Sequence, residues 1–402
     1  DPHLGKVMRY QLRYVRIDLR AVTIADPPAR PPTRGGRLSA CSSGRAAPRT
    51  RHDGAVLLAP LALARLADRW AWDLAEVSAD PAVLDGSGRW AVAIPYRGTP
   101  VLARFTAWGD EPPAGSVGAW QGPSTIDWAS SMDAPDYEAA VDRTRDIIAA
   151  GGVYQANICR VMSAALPPGP QDVAGLDALL RRGNPAPYSG LLRLPEQGVA
   201  IASASPELFL RIRRTPEGRV VTSGPIKGTG RDPSDLSDKD AAENVMIVDL
   251  VRNDLSRMCR TGTVHVPDLL AVEQHPGLVH LVSYVSGCLL PDIGWPGILE
   301  ASFPPGSVSG APKRAAMQVI DALEPAERSF YCGAFGWVDA DTGEAELAVS
   351  IRTFWVEDGV LRFGTGAGIT WGSDPRAEWR ETELKAERLT ALAAGAWQGG
   401  VP

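Results

Sequence analysis

The spacing of apolar and polar residues predicts strands and helices in irregular succession from about residue 53 onward. Residues 55–66 predict a strand that turns into a short helix, and residues 90–96 and 101–106 predict antiparallel strands joined by a Gly/Pro turn. Further strands are predicted at residues 153–162, 191–194, 200–203, 208–212, 345–355 and 360–363. The segment from residue 53 to about residue 130 carries no concentration of chemically reactive side chains.

Four helices are predicted between and after these strands. Asp133, followed by Pro135 and Asp136, is a typical start for a helix that Gly151 and Gly152 would end. Residues 240–258 have the clearest helical spacing of apolar residues, and residues 311–323 and 377–393 predict two more helices. Because strands and helices do not alternate strictly, an α+β fold with large antiparallel sheets is favoured over a doubly wound parallel sheet.

Composition places the chain among ordinary globular proteins. It has 402 residues, of which 45% are apolar and 22% charged. We expect a leader at 1–50, a β-rich region at 51–130, a catalytic domain at 131–393 and a tail at 394–402. The five cysteines form no CxxC pair, which favours a reducing, cytoplasmic location over a secreted disulfide framework. No apolar run reaches the roughly 20 residues of a membrane-spanning helix, so no membrane partner is expected.

Charge is distributed unevenly along the chain. Residues 1–50 hold nine Arg and one Lys against three Asp, whereas the whole chain carries a net charge of −6. Such a leader is typical of a transit peptide or a nucleic-acid-binding arm, but its lack of apolar periodicity favours a disordered or mis-assigned start. The net negative charge of the chain after residue 50 argues against nucleic acid as a partner.

Several residues are candidates for chemistry, each with a plainer alternative. Lys227, between Ile226 and Gly228, lies in a predicted rigid turn where partial desolvation would make it a nucleophile; most lysines are instead solvated. Glu207 ends a predicted strand, where a solvated carboxylate is the alternative. His280, one of five histidines, is more often a hydrogen-bonded core residue than an acid or base.

Charged and glycine-rich positions near the C-terminus form a second set. Glu378, Glu381 and Lys385 share one face of a predicted helix, which is typical of a solvated ion-pair face or, with Glu243, of a Mg²⁺ site. Arg352 is a charge within a predicted strand and would need a carboxylate partner. Residues 364–368 (GTGAG) predict a turn whose amides approach a ligand anion.

These segments together resemble the chorismate-utilising enzymes. The matching segments are 225–229 (PIKGT), 243–254 (ENVMIVDLVRND), 280–283 (HLVS), 303–313 (FPPGSVSGAPK), 351–353 (IRT) and 366–369 (GAGI). The resemblance covers roughly residues 131–393 in the family's order. It implies an α+β fold in which two large antiparallel sheets pack together with helices outside.

The resemblance also implies an activity. Lys227 stands where aminodeoxychorismate synthases have a covalent nucleophile and anthranilate synthases usually have alanine, and Gln155 stands where isochorismate-forming relatives have a water-activating lysine. We therefore expect amination of chorismate to 4-amino-4-deoxychorismate, on the route to 4-aminobenzoate and folate. The alternatives are anthranilate synthase component I, which releases pyruvate, and a non-catalytic chorismate-binding paralogue.

Site roles are implied by matching position. Glu207 is the implied general acid, with His280 near the substrate hydroxyl. The implied Mg²⁺ ligands are Glu243 and Glu381, with Glu378 nearby. The implied substrate-binding residues are Gly228, Thr229, Tyr331, Arg352, Gly366, Ala367 and Gly368.

A partner and an effector pocket are also implied. No cysteine lies in the GxCxG frame of a class I glutaminase, so we expect ammonia from a separate glutamine amidotransferase subunit. Pro187, Tyr188 and Ser189 resemble half of the tryptophan pocket of anthranilate synthases. The Leu-Leu-Glu-Ser element that those enzymes use for feedback is absent, so regulation by tryptophan is not expected.

Overall fold

A computed structural model describes residues 61–230, 232–275 and 278–395. The predicted leader, the first part of the strand predicted at 55–66 and most of the predicted tail lie outside these residues. The described strands are β1 (Leu63–Leu66), β2 (Arg69–Ser78), β3 (Arg89–Ile94), β4 (Val101–Gly109), β5 (Ala129–Ser130), β6 (Gln155–Ala165), β7 (Tyr188–Leu194), β8 (Val199–Ser205), β9 (Leu208–Thr215), β10 (Gly218–Gly224), β11 (Ile226–Gly230), β12 (His265–His275), β13 (Leu278–Cys288), β14 (Gly310–Ala311), β15 (Ala334–Asp339), β16 (Glu344–Val349), β17 (Thr353–Glu357) and β18 (Val360–Ile369). The α-helices are α1 (Ala134–Ala149), α2 (Val173–Gly183), α3 (Asp238–Ser256), α4 (Trp295–Ser302), α5 (Lys313–Leu323) and α6 (Pro375–Ala393).

Every strand pairing in the described residues is antiparallel, which confirms the predicted α+β class. One layer runs in the spatial order β13, β10, β9, β16, β15, β3, β4, β2, with β11 and β12 also paired to β13. The other runs β1, β7, β8, β17, β18, β6, with β5 and β14 on β6. The β1–β2 hairpin joins the two layers into one hydrogen-bonded network. Leu63–Leu66 is therefore a strand throughout, and the helix predicted there is wrong.

Both layers contribute to one large apolar core. Val161 and Leu192 of the second layer are buried in the same cluster as Ile212 and Val285 of the first. Helix α6 contacts α1, α2 and β18, while α3 packs on β13. The two ends of the strand order, β11–β13 and β18–β6, lie next to each other, since a Cβ on Gly368 of β18 would stand 3.1 Å from Nζ of Lys227 on β11. The candidate site is at this junction.

Local signals placed α1, α3, α5 and α6 well, whereas α2 and α4 were not predicted. The carboxylate of Asp133 accepts a hydrogen bond of 2.9 Å from the N–H of Asp136, as the predicted cap requires. Helix α3 begins with a capping box between Ser237 and Asp240. Among the described residues, none of the helices combines the length and apolar character needed to cross a membrane.

Candidate functional site

Lys227 lies where the two ends of the strand order meet. It is on β11, opposite Leu281 of β13, and a bulge follows at Gly228, whose φ of +79° suits glycine. A Cβ built on Gly368 of β18 would stand 3.1 Å from Nζ of Lys227 and would collide with the side chain of Gln155. The junction thus brings a lysine amine, a glycine backbone and a buried amide together.

Gly364–Gly368 form the end of β18, so the predicted turn is wrong. The segment pairs with β6 throughout, while β17 pairs with β18 only as far as Phe363. The carbonyl of Gly366 accepts a hydrogen bond of 3.1 Å from Nζ of Lys385, so it points away from β6. Because the N–H and C=O of a strand residue point to the same side, the N–H of Gly366 faces the same open edge. Position 364 must be glycine because the ring of Tyr331 packs directly on its backbone, and a Cβ there would overlap that ring.

Glu207 is the most perturbed carboxyl group of the site. Its side chain is buried between β8 and β9, and burial raises its pKa to about 7, against the opposing effects of a hydrogen bond from Ser307 and the charge of Lys227. Its Oε1 has no hydrogen-bond partner among the described residues. A cavity beside it is lined by apolar side chains and by the polar side chains of Ser223, Ser302 and Asp254. A carboxyl group with this pKa can hold a proton near neutral pH.

Three carboxylates from two helices lie next to this lysine and glutamate. Glu243 comes from α3, and Glu378 and Glu381 come from α6. Nζ of Lys239 lies 3.2 Å from Oε1 of Glu378 and 3.7 Å from Oε1 of Glu243. Nζ of Lys385 lies 2.6 Å from Oε1 of Glu381, as expected from their spacing on one helix face.

The carboxyl groups respond differently to these surroundings. Burial raises the pKa of Glu243, and nearby Glu378 adds to the effect, while Lys227 and Lys239 oppose it. Desolvation also acts on Glu381, but the hydrogen bond and charge of Lys385, with the charges of Lys227 and Lys239, together hold the pKa of this carboxyl below its usual value. Lys227 acts on Glu207, Glu243 and Glu381 alike, so it is electrostatically central to the site.

The carboxylates of Glu243, Glu378 and Glu381 are donors of the kind that Mg²⁺ prefers, although they are not arranged around one metal position. Mg²⁺ commonly takes one or two carboxylates together with waters and ligand oxygens. The described residues contain no group of three or more His, Cys, Asp or Glu side chains placed to hold a metal. Two lysine ammonium groups neutralise the carboxylates instead.

Arg352 does not lie in a strand as predicted. The predicted strand 345–355 is divided into β16 and β17, and Arg352 lies in the break with a φ of +52°. Burial lowers the pKa of its guanidinium, and Arg388 lowers it further while Glu207 opposes both. Among the described residues no carboxylate forms a salt bridge with it, although a buried guanidinium favours an anionic partner.

His280 and Thr229 are neighbours through strand register. They lie opposite each other where β11 pairs with β13, and Glu273 of β12 lies opposite His280 on the other side. The His280 side chain is buried. Together with Lys227 on β11, these residues lie within one three-stranded part of the sheet.

Pro187 directly precedes β7, and Tyr188 and Ser189 are its first two residues. The Ser189 hydroxyl accepts a hydrogen bond of 3.2 Å from Arg65, and Arg65 also forms a buried two-bond ion pair with Asp177 at 2.7 and 2.8 Å. One polar group of the predicted tryptophan pocket is therefore already engaged within the protein. The pocket itself stays a prediction.

Lys239 and Ser307 were not candidates on sequence grounds. Lys239 precedes Glu243 by four residues, a spacing that indicates an ion pair on one helix face. Its second partner, Glu378, is 139 positions away in the chain, and no local pattern indicates that contact. Ser307 lies in the 303–313 segment, and no sequence pattern singles it out. It is relevant because it donates a hydrogen bond to the buried carboxyl group of Glu207.

Comparison with known proteins gives the family. The model of the chorismate binding enzyme family matches residues 114–391, which is more than half of the chain. The chain belongs to this family. A solved structure described as anthranilate synthase component I of Streptococcus pneumoniae TIGR4 matches with a TM-score of 0.64 and 26% identity, over 76% of this chain and 80% of that one.

Curated relatives carry two different names. Anthranilate synthase component 1 of Saccharolobus solfataricus is 38% identical over 64% of this chain and 62% of its own length. Aminodeoxychorismate synthase of Streptomyces pristinaespiralis is 40% identical over 65% of this chain and 36% of its own length. Aminodeoxychorismate synthase component 1 of Escherichia coli is 37% identical over 66% of this chain and 59% of its own length. The aligned part of the chain spans between about a third and three-fifths of these relatives.

Proposed function

We propose that this protein aminates chorismate to 4-amino-4-deoxychorismate, a precursor of 4-aminobenzoate and folate, without release of pyruvate. The observation that carries the proposal is the position of Lys227. Its amine faces the open glycine strand at Gly368 and acts electrostatically on Glu207. A lysine at this point can serve as a nucleophile, which a hydroxyl-for-amine exchange at an allylic ring carbon can use.

The reaction is two successive displacements. The neutral amine of Lys227 forms a bond to ring carbon 2, both conjugated ring double bonds shift by one position, and the bond from carbon 4 to its hydroxyl breaks. Glu207 gives its proton to the departing hydroxyl, which leaves as water. Ammonia then forms a bond to carbon 4, both double bonds shift back, and the lysine amine leaves carbon 2. Overall, chorismate and ammonia give aminodeoxychorismate and water, and the proton lost from the incoming nitrogen restores the acid.

Substrate binding falls to the remaining candidates. Arg352, buried without a carboxylate salt bridge among the described residues, would bind a substrate carboxylate. The open edge of β18 would present the amides of Gly366 and Gly368 to the substrate's anionic groups, with Ala367 between them. We assign supporting contacts to Gly228, Thr229 and Tyr331, and a place beside the substrate hydroxyl to His280.

A divalent cation would bind among the carboxylates of α3 and α6. Glu243 and Glu381 would hold Mg²⁺, with Glu378 beside them, and the bound ion would supply positive charge to the ring carboxylate. Glu243→Gln and Glu381→Gln should each raise the Mg²⁺ concentration needed for half-maximal activity, with circular dichroism unchanged. An unchanged Mg²⁺ requirement in both variants would return the carboxylates to a solvated ion-pair role.

Ammonia would come from a separate glutaminase subunit. Free ammonia is mostly protonated at neutral pH, and none of the five cysteines lies in the GxCxG frame such an enzyme needs. The purified chain should therefore use ammonium salts but not glutamine, and adding a class I glutaminase partner should confer glutamine use. Glutamine-dependent product from this chain alone would overturn the assignment.

The identity of the product tests the proposal against its main alternative. We would incubate the protein with chorismate, MgCl₂ and ammonium chloride and identify products by chromatography and mass spectrometry. Aminodeoxychorismate without pyruvate is expected. Anthranilate with equimolar pyruvate would establish anthranilate synthase component I chemistry instead, and chorismate binding without turnover would indicate a non-catalytic paralogue.

A further inference from the structure

Lys239 links the two helices that carry the acidic side chains. Its Nζ lies 3.2 Å from Oε1 of Glu378 on α6 and 3.7 Å from Oε1 of Glu243 on its own helix α3. The two carboxylate side chains are only 4% and 13% exposed, whereas the lysine side chain is 48% exposed. A half-exposed cation therefore contacts two poorly solvated anions.

This difference in exposure decides which group can move. Two carboxylates held close together in a poorly hydrated place repel each other and need a nearby positive charge. The lysine has a flexible four-carbon stem and a strongly hydrated ammonium group, so it can turn into solvent at little cost. The side chains of Glu378 and Glu243 are enclosed by neighbouring residues and have less room to turn away.

The other ion pairs of the region differ from this one. Lys385 pairs with Glu381 within a single helix, and both side chains are about half exposed, at 46% and 49%. Lys313 pairs with Asp254 at 2.7 Å, but both of these side chains are largely buried. Among the described residues of α3 and α6, Lys239 is thus the cation that is both solvated and shared between the two helices.

We propose that Lys239 is an exchangeable cation that holds Glu243 and Glu378 together without metal and yields its place when Mg²⁺ binds. The identity of the metal rests on the proposed function. In this exchange either Lys239 or Mg²⁺ compensates the negative charge of the carboxylates, without metal and with metal respectively. The affinity for Mg²⁺ is therefore set by competition with Lys239. Removing the lysine should therefore strengthen metal binding, opposite to the effect of removing a ligand.

Calorimetric titration of MgCl₂ into the chorismate-free protein measures this competition. Lys239→Met should bind Mg²⁺ about tenfold more tightly than the unmodified chain, because the ion no longer has to displace an ammonium group from Glu243 and Glu378. Arg380→Gln is the matched control, since it removes an exposed positive charge from α6 one residue from Glu381. This control should change the affinity by less than about twofold. Unchanged or weaker Mg²⁺ binding by Lys239→Met would overturn the proposal.

A second measurement keeps the lysine in place. The chain has five lysines, so protein labelled with ¹³C at lysine Cε gives few signals, and a Lys239→Arg variant identifies the signal of residue 239. MgCl₂ should shift this signal toward that of a free lysine and leave the signal of Lys313 unchanged. A Lys239 signal that does not shift at saturating MgCl₂ would contradict the exchange. Neither readout depends on turnover, so a failed product assay would refute the proposed reaction and leave this inference standing.

Discussion

Lys227 and Gly368 approach so closely that a Cβ on the glycine would stand 3.1 Å from the lysine Nζ. The two residues lie on strands at opposite ends of the spatial strand order, and their contact closes the site. The same missing side chain leaves room for Gln155, whose amide is buried with neither its nitrogen nor its oxygen bonded among the described residues. The absence of a side chain at Gly368 thus leaves space for both groups in the candidate site.

Gly368→Ala should impair catalysis more than it impairs stability. The new methyl group would meet the flexible ends of Lys227 and Gln155, which can move aside, but the amine would leave its position. We expect kcat/KM for chorismate to fall at least about tenfold, since small displacements of reacting groups are costly. Gly372→Ala is the control, because its Cβ would have no neighbour within 4 Å. Equal kinetics for the two variants would show that the lysine position does not matter.

Glu207→Gln should alter the pH dependence of stability. The raised pKa means that ionising the buried carboxyl weakens the folded state, so stability is lost as pH rises from the usual value of 4.5 through about 7. Between pH 5 and pH 8, the unmodified protein should lose about 2 kcal/mol relative to the variant, which cannot ionise there. Urea unfolding at both pH values measures the difference. A constant difference between the proteins would mean that Glu207 is not perturbed.

The buried pair of Arg65 and Asp177 should be important for stability. Asp177→Asn leaves a buried guanidinium with its main charge partner removed, and such a loss costs about 3–5 kcal/mol. Asp142→Asn, which removes a surface pair with Arg145, should cost less than about 1 kcal/mol. Chemical denaturation of both variants makes the comparison. Similar small losses would show that Arg65 finds other compensation.

Tryptophan should have little effect on activity. A ligand that uses the Ser189 hydroxyl as an acceptor competes with the hydrogen bond from Arg65, whose guanidinium is held by Asp177. We expect the rate at saturating chorismate and ammonium to stay constant in millimolar L-tryptophan, with L-leucine as the control amino acid. Inhibition specific to tryptophan would indicate a functioning effector pocket around Pro187, Tyr188 and Ser189.

Residue patterns within short segments predicted helices, strands and ion pairs within those segments. They did not predict contacts between segments that are far apart in the sequence. Asp133 and its helix follow from neighbouring residues, and so does the pair of Glu381 and Lys385. The proximity of Lys227 and Gly368 depends on the order of all the intervening strands. For the same reason, GTGAG was predicted as a turn: glycines suggest flexibility until Tyr331 is seen packed on Gly364. The positive φ of Arg352 likewise interrupts a sequence that is apolar enough for one continuous strand.

The central claim is that Lys227 is a covalent nucleophile, and mass spectrometry of the intact protein tests it directly. The protein would be mixed with chorismate and MgCl₂ in the absence of ammonia, quenched rapidly in acid and mapped by peptide digestion. The account predicts a chorismate-derived adduct, formed with loss of water, on the peptide that contains Lys227, and no adduct in Lys227→Ala. Full amination activity in Lys227→Ala would contradict it.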